Sequence, residues 1–402
     1  MILSFFKDCG NINFKIFALQ VHTNLTVLKI AVNTRLLLSH KLEGIGWFMY
    51  ETLRRIVKAH PEHTFYFIFD RKFDPKFIFA DNVIPVVAFP PTRHPVLQYT
   101  WFEYAIPREL KKIKPDLFLS PDAYNSLRSP FKNLMVIHDL NFEHYPDKMP
   151  PLVRKYYRYF TPKFALKATR IATVSNFSKE DIEQQYGIKP EKIDVVYNGV
   201  NDKFTPVTEK VKQETRKKYT GGSPYFIYVG ALIDRKNLGN LFKAFDLYKS
   251  KDKTEDVKLL IVGAKMWHNK DLQNTYEQMQ FKNEVLFTGR LEPEELYKAT
   301  GSALAMTYVS YFEGFGIPIL EAFAAGIPVI TSNVTSMPEV AGGAALLVDP
   351  FDTEDIANAM ASITNDGQLR KELIEKGHAR RKQFSWDKSA EDLWKSIEKT
   401  VS

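Results

Sequence analysis

The sequence predicts an α/β protein made of two doubly wound, Rossmann-like domains that face each other across a cleft. The chain has 402 residues, too many for one ordinary hydrophobic core, so we expect two domains of roughly 170–200 residues each. Short apolar strands alternate with helical patterns in both halves of the chain. Such alternation is typical of parallel sheets that are covered by helices on both faces.

The first domain is predicted to span residues 28–200 and to open with a strand at Leu28–Asn33. A loop that contains Gly44-Ile45-Gly46 follows, and a helix then covers about 47–58. Further strands are predicted at 63–69, 83–89, 117–119, 134–137, 170–174 and 193–196. Further helices are predicted at 99–112, 152–167 and 179–186.

The second domain is predicted to span residues 201–385 and to repeat this scheme. The boundary falls near Tyr197–Pro206, where Asn198-Gly199 supplies a turn. The amphipathic helix predicted at 386–402 has no strand to follow, so we expect it to cross back onto the first domain. Strands are predicted at 225–229, 258–262, 285–287, 303–307 and 328–331, with a helix at 238–249.

The amino-terminal residues 1–27 are expected to form a loosely attached extension. The apolar run from Phe14 to Val21 is short, Lys15 interrupts it, and no convincing cleavage site follows, so we do not predict a signal peptide. No stretch of about 20 apolar residues predicts a transmembrane helix. A single cysteine, Cys9, excludes a disulfide framework and a multi-cysteine zinc site, and it favours a reducing compartment such as the cytoplasm.

The net charge of +8 is compatible with three classes of partner: nucleic acid, anionic lipid and phosphorylated small molecules. Lysine and arginine are scattered, and no nucleic-acid-binding motif accompanies them, so nucleic acid is the weakest of these. The charge is then a solvated surface, or a surface that rests against anionic lipid at the inner face of the membrane. The segment Arg154–Phe160 has two interpretations as well. It could meet a membrane face, or it could be a helix that faces the core and leaves its arginines solvated.

The most informative segment runs from Tyr311 to Gly326. Gly314 and Gly316 leave a loop with bare backbone amides, Pro318 stands at the start of a helix, and Gly326 stands where that helix should stop. A glycine-rich loop that leads into a helix amino terminus attracts anions, because unpaired donors and a partial positive charge point outward. The segment therefore predicts a diphosphate site.

Two acids, Glu313 and Glu321, bracket this loop. Carboxylates would repel a phosphate, so they are better suited to accept hydrogen bonds from sugar hydroxyls. Charge-assisted bonds of this kind contribute about 1.5–3 kcal/mol each when water is excluded. One acid before the loop and one after it would hold the two ends of a nucleotide sugar.

A second element follows the predicted strand that ends at Gly230. Arg235 and Lys236 stand between this strand and the next helix. An Arg-Lys pair is usually solvated surface, but ligands of open parallel sheets bind at the carboxyl ends of the strands. In this context the two cations are predicted to neutralise a departing diphosphate.

Together these motifs resemble the retaining glycosyltransferases of family GT4, which have the GT-B fold. The resemblance rests on the Glu313–Glu321 spacing around Gly-Phe-Gly-Ile-Pro, and it covers about residues 28–402. It implies a nucleotide-diphosphate sugar donor and retention of anomeric configuration. The other matching segments are Arg235-Lys236-Asn237, Phe287-Thr-Gly-Arg290 and Met337-Pro-Glu-Val340.

The resemblance also implies roles for individual residues. Glu313 would face the donor sugar, and Glu321 would face the ribose hydroxyls. The amides of Phe315, Gly316 and Ile317 would hold the phosphates together with Arg235 and Lys236, and Gly289-Arg290 would lie near the base. This sequence has Val309-Ser310 where the family often has Pro-Ser, which reshapes the pocket wall at most.

Two elements of the first domain match the family more weakly. Gly44-Ile-Gly46 corresponds to the glycine loop that approaches the donor phosphates, although a lone Gly-x-Gly is more often a turn. His138, in Val136-Ile-His-Asp-Leu140, corresponds to a histidine that touches the donor sugar or the acceptor, although a single histidine is more often structural. Asp139 is expected to be a local cap or an orienting partner.

The predicted activity is transfer of a hexose, with mannose from GDP-mannose favoured, to a glycan or lipid-linked acceptor in surface polysaccharide synthesis. No Asp-x-Asp or HExxH motif occurs in the sequence, so we expect neither a bound metal nor another cofactor. Two alternatives stay open: a sugar-nucleotide epimerase of the same fold, and a non-catalytic protein that binds nucleotide sugars.

Overall fold

The computed structural model describes residues 27–39, 42–251, 256–264 and 270–402. The predicted extension therefore lies, except for Val27, outside the described residues, as do Cys9 and the apolar run 14–21. No helix among the described residues combines the length and apolarity needed to cross a membrane.

The first sheet contains seven parallel strands within the described residues, in the order β3-β2-β1-β4-β5-β6-β7. The strand order reverses between β1 and β4, and in doubly wound sheets such a point opens a crevice at the carboxyl ends of the strands. The strands are β1 Lys29–Asn33, β2 Thr64–Phe69, β3 Val83–Val87, β4 Leu117–Ser120, β5 Asn133–Ile137, β6 Arg170–Thr173 and β7 Ile193–Val195.

The second sheet contains six parallel strands within the same described ranges, in the order β10-β9-β8-β11-β12-β13. Its order reverses between β8 and β11. On β8 the side chains of Tyr225, Phe226, Ile227 and Tyr228 are fully buried, as expected for a parallel strand that is covered on both faces. The strands are β8 Tyr225–Val229, β9 Lys258–Val262, β10 Val285–Gly289, β11 Ala305–Tyr308, β12 Val329–Ser332 and β13 Leu346–Val348.

Helices connect the strands in both sheets, which confirms the predicted α/β architecture. A π-helical turn, Trp101–Ala105, joins α2 to α3. The helices are α1 Gly44–Ala59, α2 Pro95–Thr100, α3 Ile106–Ile113, α4 Asn141–His144, α5 Pro151–Lys167, α6 Asn176–Tyr186, α7 Glu209–Thr220, α8 Leu238–Lys251, α9 Lys270–Glu277, α10 Pro293–Gly301, α11 Ile317–Ala325, α12 Met337–Ala341, α13 Thr353–Asn365, α14 Gly367–Arg381 and α15 Trp386–Val401.

The last helix, α15, returns to the first sheet as predicted. It packs along α1 and against β4, β5 and β6, with Leu393 and Ile397 fully buried. Trp394 stacks on His60 at the end of α1, with 3.6 Å between the ring centroids. Close approach at Gly199 fixes where α15 begins, because a Cβ there would lie 2.2 Å from the Trp386 amide nitrogen.

Two local predictions are corrected by the structure. Helix α1 begins at Gly44 and not near Trp47, so Gly44 and Gly46 form its first turn and not a loop before it. Trp47 already donates the helical hydrogen bond to the Glu43 carbonyl, at 2.8 Å. Strand β13 was not predicted, since Leu346–Val348 has only three residues and Leu347 is exposed.

Candidate active site

The candidate site lies at the switch point of the second sheet, where the loops after β8 and β11 meet. Arg235 and Lys236 belong to a 3₁₀ turn, Asp234–Lys236, that follows β8. Asn237 fixes this turn to the neighbouring loops, because its Nδ2 donates to the Val309 carbonyl at 2.9 Å and to the Pro350 carbonyl at 2.7 Å. The two cations are thereby held toward the β11 loop.

Glu313, on the β11 loop, pairs with both cations. Its Oε2 lies 2.8 Å from Arg235 Nη1, and its Oε1 lies 2.6 Å from Lys236 Nζ. Lys236 also donates to the Tyr308 hydroxyl at 2.5 Å. The three charged groups form one mostly buried cluster, since Glu313 is 6% exposed.

The electrostatics of this cluster keep Glu313 ionised. Burial alone would raise the pKa of this carboxyl, but the charges of Lys236 and Arg235 lower its pKa to about 2. Burial opposes the charged form of Arg235, yet Glu313 and, more weakly, Asp139 raise the pKa of its guanidinium. A buried charge that loses its partner typically destabilises a protein by about 3–5 kcal/mol, so each member of the cluster depends on the others.

The carbonyl groups of residues 312–315, around Glu313, are all held by side chains. Arg235 and two serines, Ser175 and Ser336, supply the donors. The pairs are Phe312 O with Arg235 Nη1 at 2.8 Å, Glu313 O with Ser336 Oγ at 2.9 Å, Gly314 O with Ser175 Oγ at 2.7 Å, and Phe315 O with Ser336 Oγ at 3.0 Å.

Three amides of the same loop are left available. Within the ranges that the structure describes, no group accepts a hydrogen bond from the amides of Phe315, Gly316 or Ile317. Gly316 is the N-cap of α11 and has φ 105°, a conformation that favours glycine. Three donors at a helix amino terminus, one loop away from two cations, suit an anion such as a diphosphate.

Glu321 lies one turn inside α11, beyond the amide loop. Its carboxylate has no hydrogen-bonding or ionic partner among the described residues, and burial raises its pKa to about 7. Burial is the largest cause of the raised pKa of Tyr297 on α10, and the charges of Glu294 and Glu321 add to it. A half-buried acid without a donor could accept hydrogen bonds from a ligand.

The first domain contributes His138, which directly follows β5. Its Nε2 lies 2.9 Å from the Pro121 carbonyl, and a carbonyl can only accept, so Nε2 carries the proton and Nδ1 offers a lone pair. Burial lowers the pKa of the imidazole, which favours the neutral ring. Phe48, one turn after Gly44 on α1, packs edge-on against this ring with 5.0 Å between centroids.

The two domains touch at Gly314. A Cβ at this position would lie 2.0 Å from the His138 carbonyl oxygen and 2.9 Å from the Asp139 Cβ, so only glycine allows this contact. Asp139 accepts from the Asn141 amide at 3.1 Å, a local capping contact of the predicted kind. Its charge also acts on Arg235 and Lys236 across the interface.

The remaining predicted site residues surround this centre at different distances. Gly230 follows β8 and lies against Gly263, where a Cβ would be 1.9 Å from the Gly230 carbonyl oxygen. Gly289, with φ 74°, ends β10, and Arg290 is exposed two strands away from β8. The structure thus brings Arg235, Lys236, Glu313 and the amide loop together beside His138, with Gly289-Arg290 farther out.

Several contributors were not identified from the sequence. Tyr308 and Ser336 support the charged cluster and the loop, and nothing in their local sequence distinguishes them. Phe312 is 3% exposed because it packs between aromatic side chains of the first domain, including His144 and Phe177. Only the position of Phe312 next to Glu313 could have drawn attention to it.

One cluster of metal-ligand type, His60, Glu62 and His63, occurs among the described residues, away from the candidate site. It precedes β2 and therefore lies at the amino edge of the first sheet, opposite the crevice. His63 Nδ1 already accepts from the Leu28 amide at 3.3 Å, so its Nε2 carries a proton and is not free to bind a metal.

Two family models match this chain, and together they cover most of it. The model described as Glycosyltransferase Family 4 matches residues 42–204, and the model described as Glycosyl transferases group 1 matches residues 210–380. Each match corresponds to one of the two sheets.

Curated relatives include O-antigen chain mannosyltransferase B of Escherichia coli, 28% identical over 69% of this chain and 73% of the relative. O-antigen chain mannosyltransferase RfbU of Salmonella typhimurium is 30% identical over 57% of this chain and 60% of its own length. This chain therefore spans less than two thirds of that second relative.

Solved structures share the fold at low sequence identity. Sucrose-phosphate synthase from Thermosynechococcus elongatus superposes with a TM-score of 0.72 at 18% identity, covering 92% of this chain and 98% of that one. Anabaena HepE in complex with UDP-glucose gives 0.71 at 17% identity, covering 92% and 100%. With two parallel-sheet domains, a returning helix and family matches in both halves, this chain belongs to the GT-B glycosyltransferases of family 4.

Proposed function

We propose that this protein is a retaining, metal-independent hexosyltransferase that moves mannose from GDP-mannose to a glycan or lipid-linked acceptor in surface polysaccharide synthesis. One observation carries the proposal: Arg235, Lys236 and the free amides of 315–317 converge at the switch point. The preference for mannose is supported by two relatives of this chain that are O-antigen chain mannosyltransferases.

The cations and the amide loop would stabilise the departing diphosphate. Fixed donors that already point at the developing charge need no reorganisation during the reaction. Because two cations and a helix amino terminus can do this, a divalent metal is not required. The acids Glu313 and Glu321 would accept hydrogen bonds from the donor sugar and the ribose, respectively.

The chemistry would be a front-face substitution. The bond from the anomeric carbon to the phosphate oxygen breaks, a bond to the acceptor oxygen forms on the same face, and the acceptor's proton passes to the departing phosphate. A double displacement is less favoured, because Glu313 is already bound to two cations and is a poor nucleophile. His138, with a lone pair on Nδ1, would accept a hydrogen bond from the donor sugar or the acceptor.

The function is tested by incubating the purified protein with GDP-mannose and a mannose-terminated glycan or lipid-linked acceptor. We expect transfer in excess EDTA and a product whose anomeric proton, observed by NMR, has the donor's α configuration. Other nucleotide sugars serve as controls for the preference. An inverted product, or strict dependence on Mn²⁺ or Mg²⁺, would contradict the proposal.

The same assay separates the two alternatives. Donor incubated without acceptor would be epimerised by an epimerase, and it would be bound but not consumed by a non-catalytic binding protein. No observation on the described residues favours either alternative.

The leaving-group role of the cations predicts a large kinetic effect. Arg235→Ala combined with Lys236→Ala should lower kcat by about 10²–10³-fold, the usual loss when preorganised charge stabilisation is removed. Initial rates at saturating donor measure the effect. The control Lys210→Ala plus Lys217→Ala makes the same charge change on exposed α7 and should leave kcat unchanged.

Because the double variant leaves Glu313 buried without partners, its folding is checked by circular dichroism and thermal unfolding. A folded double variant with near-normal turnover would exclude the leaving-group role.

The raised pKa of the half-buried acid Glu321 predicts a pH-dependent stability. The unfolded chain ionises this group near 4.5 and the folded protein near 7, so stability is lost as the pH rises between these values. Glu321→Gln removes this ionisation, and it should therefore stabilise the protein more at pH 8 than at pH 4.5, by at most about 3 kcal/mol.

Urea unfolding of both proteins at the two pH values, without nucleotide, measures this difference. Glu294→Gln, an exposed acid on α10, is the control and should show no such change with pH. An equal effect of Glu321→Gln at both pH values would contradict the assignment.

We also propose that α5 rests on an anionic membrane surface near a lipid-linked acceptor. Leu152, Tyr159 and Leu166, spaced seven residues apart on one helix face, are 53%, 56% and 59% exposed, and the exposed Lys155 and Lys163 lie between them. Tyr156 and Phe164 on another face are buried, so the helix packs on the core and still presents an apolar, basic stripe to solvent. Such a stripe suits the interface of a bilayer.

Vesicle sedimentation tests the membrane contact. The protein should bind vesicles that contain phosphatidylglycerol more strongly than pure phosphatidylcholine vesicles. Leu152→Ser, Tyr159→Ser and Leu166→Ser together should abolish binding, whereas Ile84→Ser plus Leu347→Ser, exposed apolar residues elsewhere, should not. Equal sedimentation of the triple variant and the unmodified protein would refute it.

A further inference from the structure

Glu339 lies on the short helix α12 of the second domain. Within the described part of the chain, all hydrogen bonds to its carboxylate come from residues of the first domain. It accepts from the Asn176 amide and from Asn176 Nδ2, both at 2.9 Å. It also accepts from the Phe177 amide at 3.1 Å and from the Tyr197 hydroxyl at 2.8 Å. One carboxylate thus receives four hydrogen bonds across the domain interface.

The position of these donors explains the strength of this contact. Asn176 and Phe177 are the first two residues of α6, whose amides have no partner within the helix. The side chain of the N-cap Ser175 accepts from the Ser178 amide, at 3.0 Å, and leaves the first two amides of the helix to Glu339. A carboxylate placed here meets unpaired donors and the positive end of the helix dipole, both of which favour it.

Glu339 is also held from behind, within its own domain. Arg380 on α14 donates through Nε to the Val340 carbonyl at 3.1 Å and through Nη2 to the Glu339 carbonyl. A Cβ at Gly342 would lie 2.4 Å from Arg380 Nε, so glycine leaves room for this guanidinium. The backbone that carries Glu339 is therefore fixed before it meets α6.

The same end of α6 also binds the amide loop of the candidate site. Ser175 Oγ donates to the Gly314 carbonyl at 2.7 Å. Phe177 contacts the ring of Phe312, with 5.6 Å between centroids. The residues that receive Glu339 thus adjoin the residues that set the position of the loop carrying Glu313.

We propose that Glu339 is a positioning residue that latches the two domains together and thereby holds the 312–317 loop against His138 and Asp139. It contacts none of the residues assigned to the donor, so it acts through α6 and the loop. Its effect on catalysis rests on the proposed function, but the latch itself does not. Domain closure of this kind excludes water and completes the site.

The test compares Glu339→Gln and Glu339→Ala with the unmodified protein. Without nucleotide, small-angle X-ray scattering should give a larger radius of gyration for both variants, because the domains separate. With GDP-mannose and acceptor, kcat should fall roughly tenfold or more, as expected from loss of charge-assisted bonds. The dissociation constant for GDP, from calorimetry, should change less than about threefold, since Arg235, Lys236 and the amides of 315–317, which are assigned to the diphosphate, all lie within the second domain.

Two controls keep the outcome interpretable. Glu294→Gln changes an exposed acid of the same domain and should match the unmodified protein in every measurement. Tyr197→Phe removes one of the four hydrogen bonds, is conservative enough to fold, and should give a smaller opening and a smaller loss of kcat.

The measurements separate the two proposals. If the Glu339 variants open but no protein, including the unmodified one, shows transferase activity, the latch proposal is supported and the proposed function is refuted. Unchanged scattering together with unchanged kcat would overturn the latch. A fall in GDP affinity as large as the fall in kcat would place Glu339 in donor binding and would equally overturn it.

Discussion

A buried carboxylate that must stay charged is the constraint on which the candidate site depends. Glu313 can remain ionised in its enclosed position only because Arg235 and Lys236 both contact it. These residues come from loops after different strands, β8 and β11, which are neighbours only because the strand order of the sheet reverses between them. The ion pairs therefore tie the local chemistry to the topology of the whole domain.

Polar groups at the domain interface also depend on specific partners. Gly314 has no side chain, so its backbone lies directly against the backbone of the first domain. The Gly314 carbonyl accepts from Ser175, and the Asn176 amide donates to Glu339. Polar groups at a close contact must find partners, since an unpaired buried group costs about 1–3 kcal/mol. The hydrogen bonds between the domains are therefore specific to this relative position, and a different orientation would leave several donors and acceptors without partners.

The sequence predicted the parts of the structure that local patterns determine. Strands β8 and β9 occur at the predicted residues because continuous apolar runs are bounded by turn residues. Helix α11 ends at Ala325, and Gly326, with φ 73°, caps it as predicted. The first turn of α1 was missed because two glycines usually indicate a loop, whereas here Gly46 lies within a helical turn that closely approaches Leu36 and Leu42. The local sequence pattern alone gave no reason to place these two glycines in a helix.

The roles of Phe312 and Glu339 could not be predicted, for a different reason. Both side chains contact residues of the other domain, and those contacts depend on how two sheets that are distant in sequence are placed against each other. Likewise, Glu313 was expected to face a sugar, and its two ion pairs depend on loops that are distant in sequence. Local periodicity carries no information about contacts of that range.

The charges of the site indicate how it would hold a diphosphate. Arg235 and Lys236 contribute two positive charges, while Glu313 and the nearby Asp139 contribute two negative ones, so the cluster is formally neutral. Attraction of a diphosphate would then depend on the directed amides at 315–317 and the dipole of α11 more than on net charge. Donors of fixed direction stabilise charge that develops at one position, whereas excess positive charge would also retain the product. A neutral cluster with oriented donors is therefore suited to a reaction in which a nucleoside diphosphate must form and then leave.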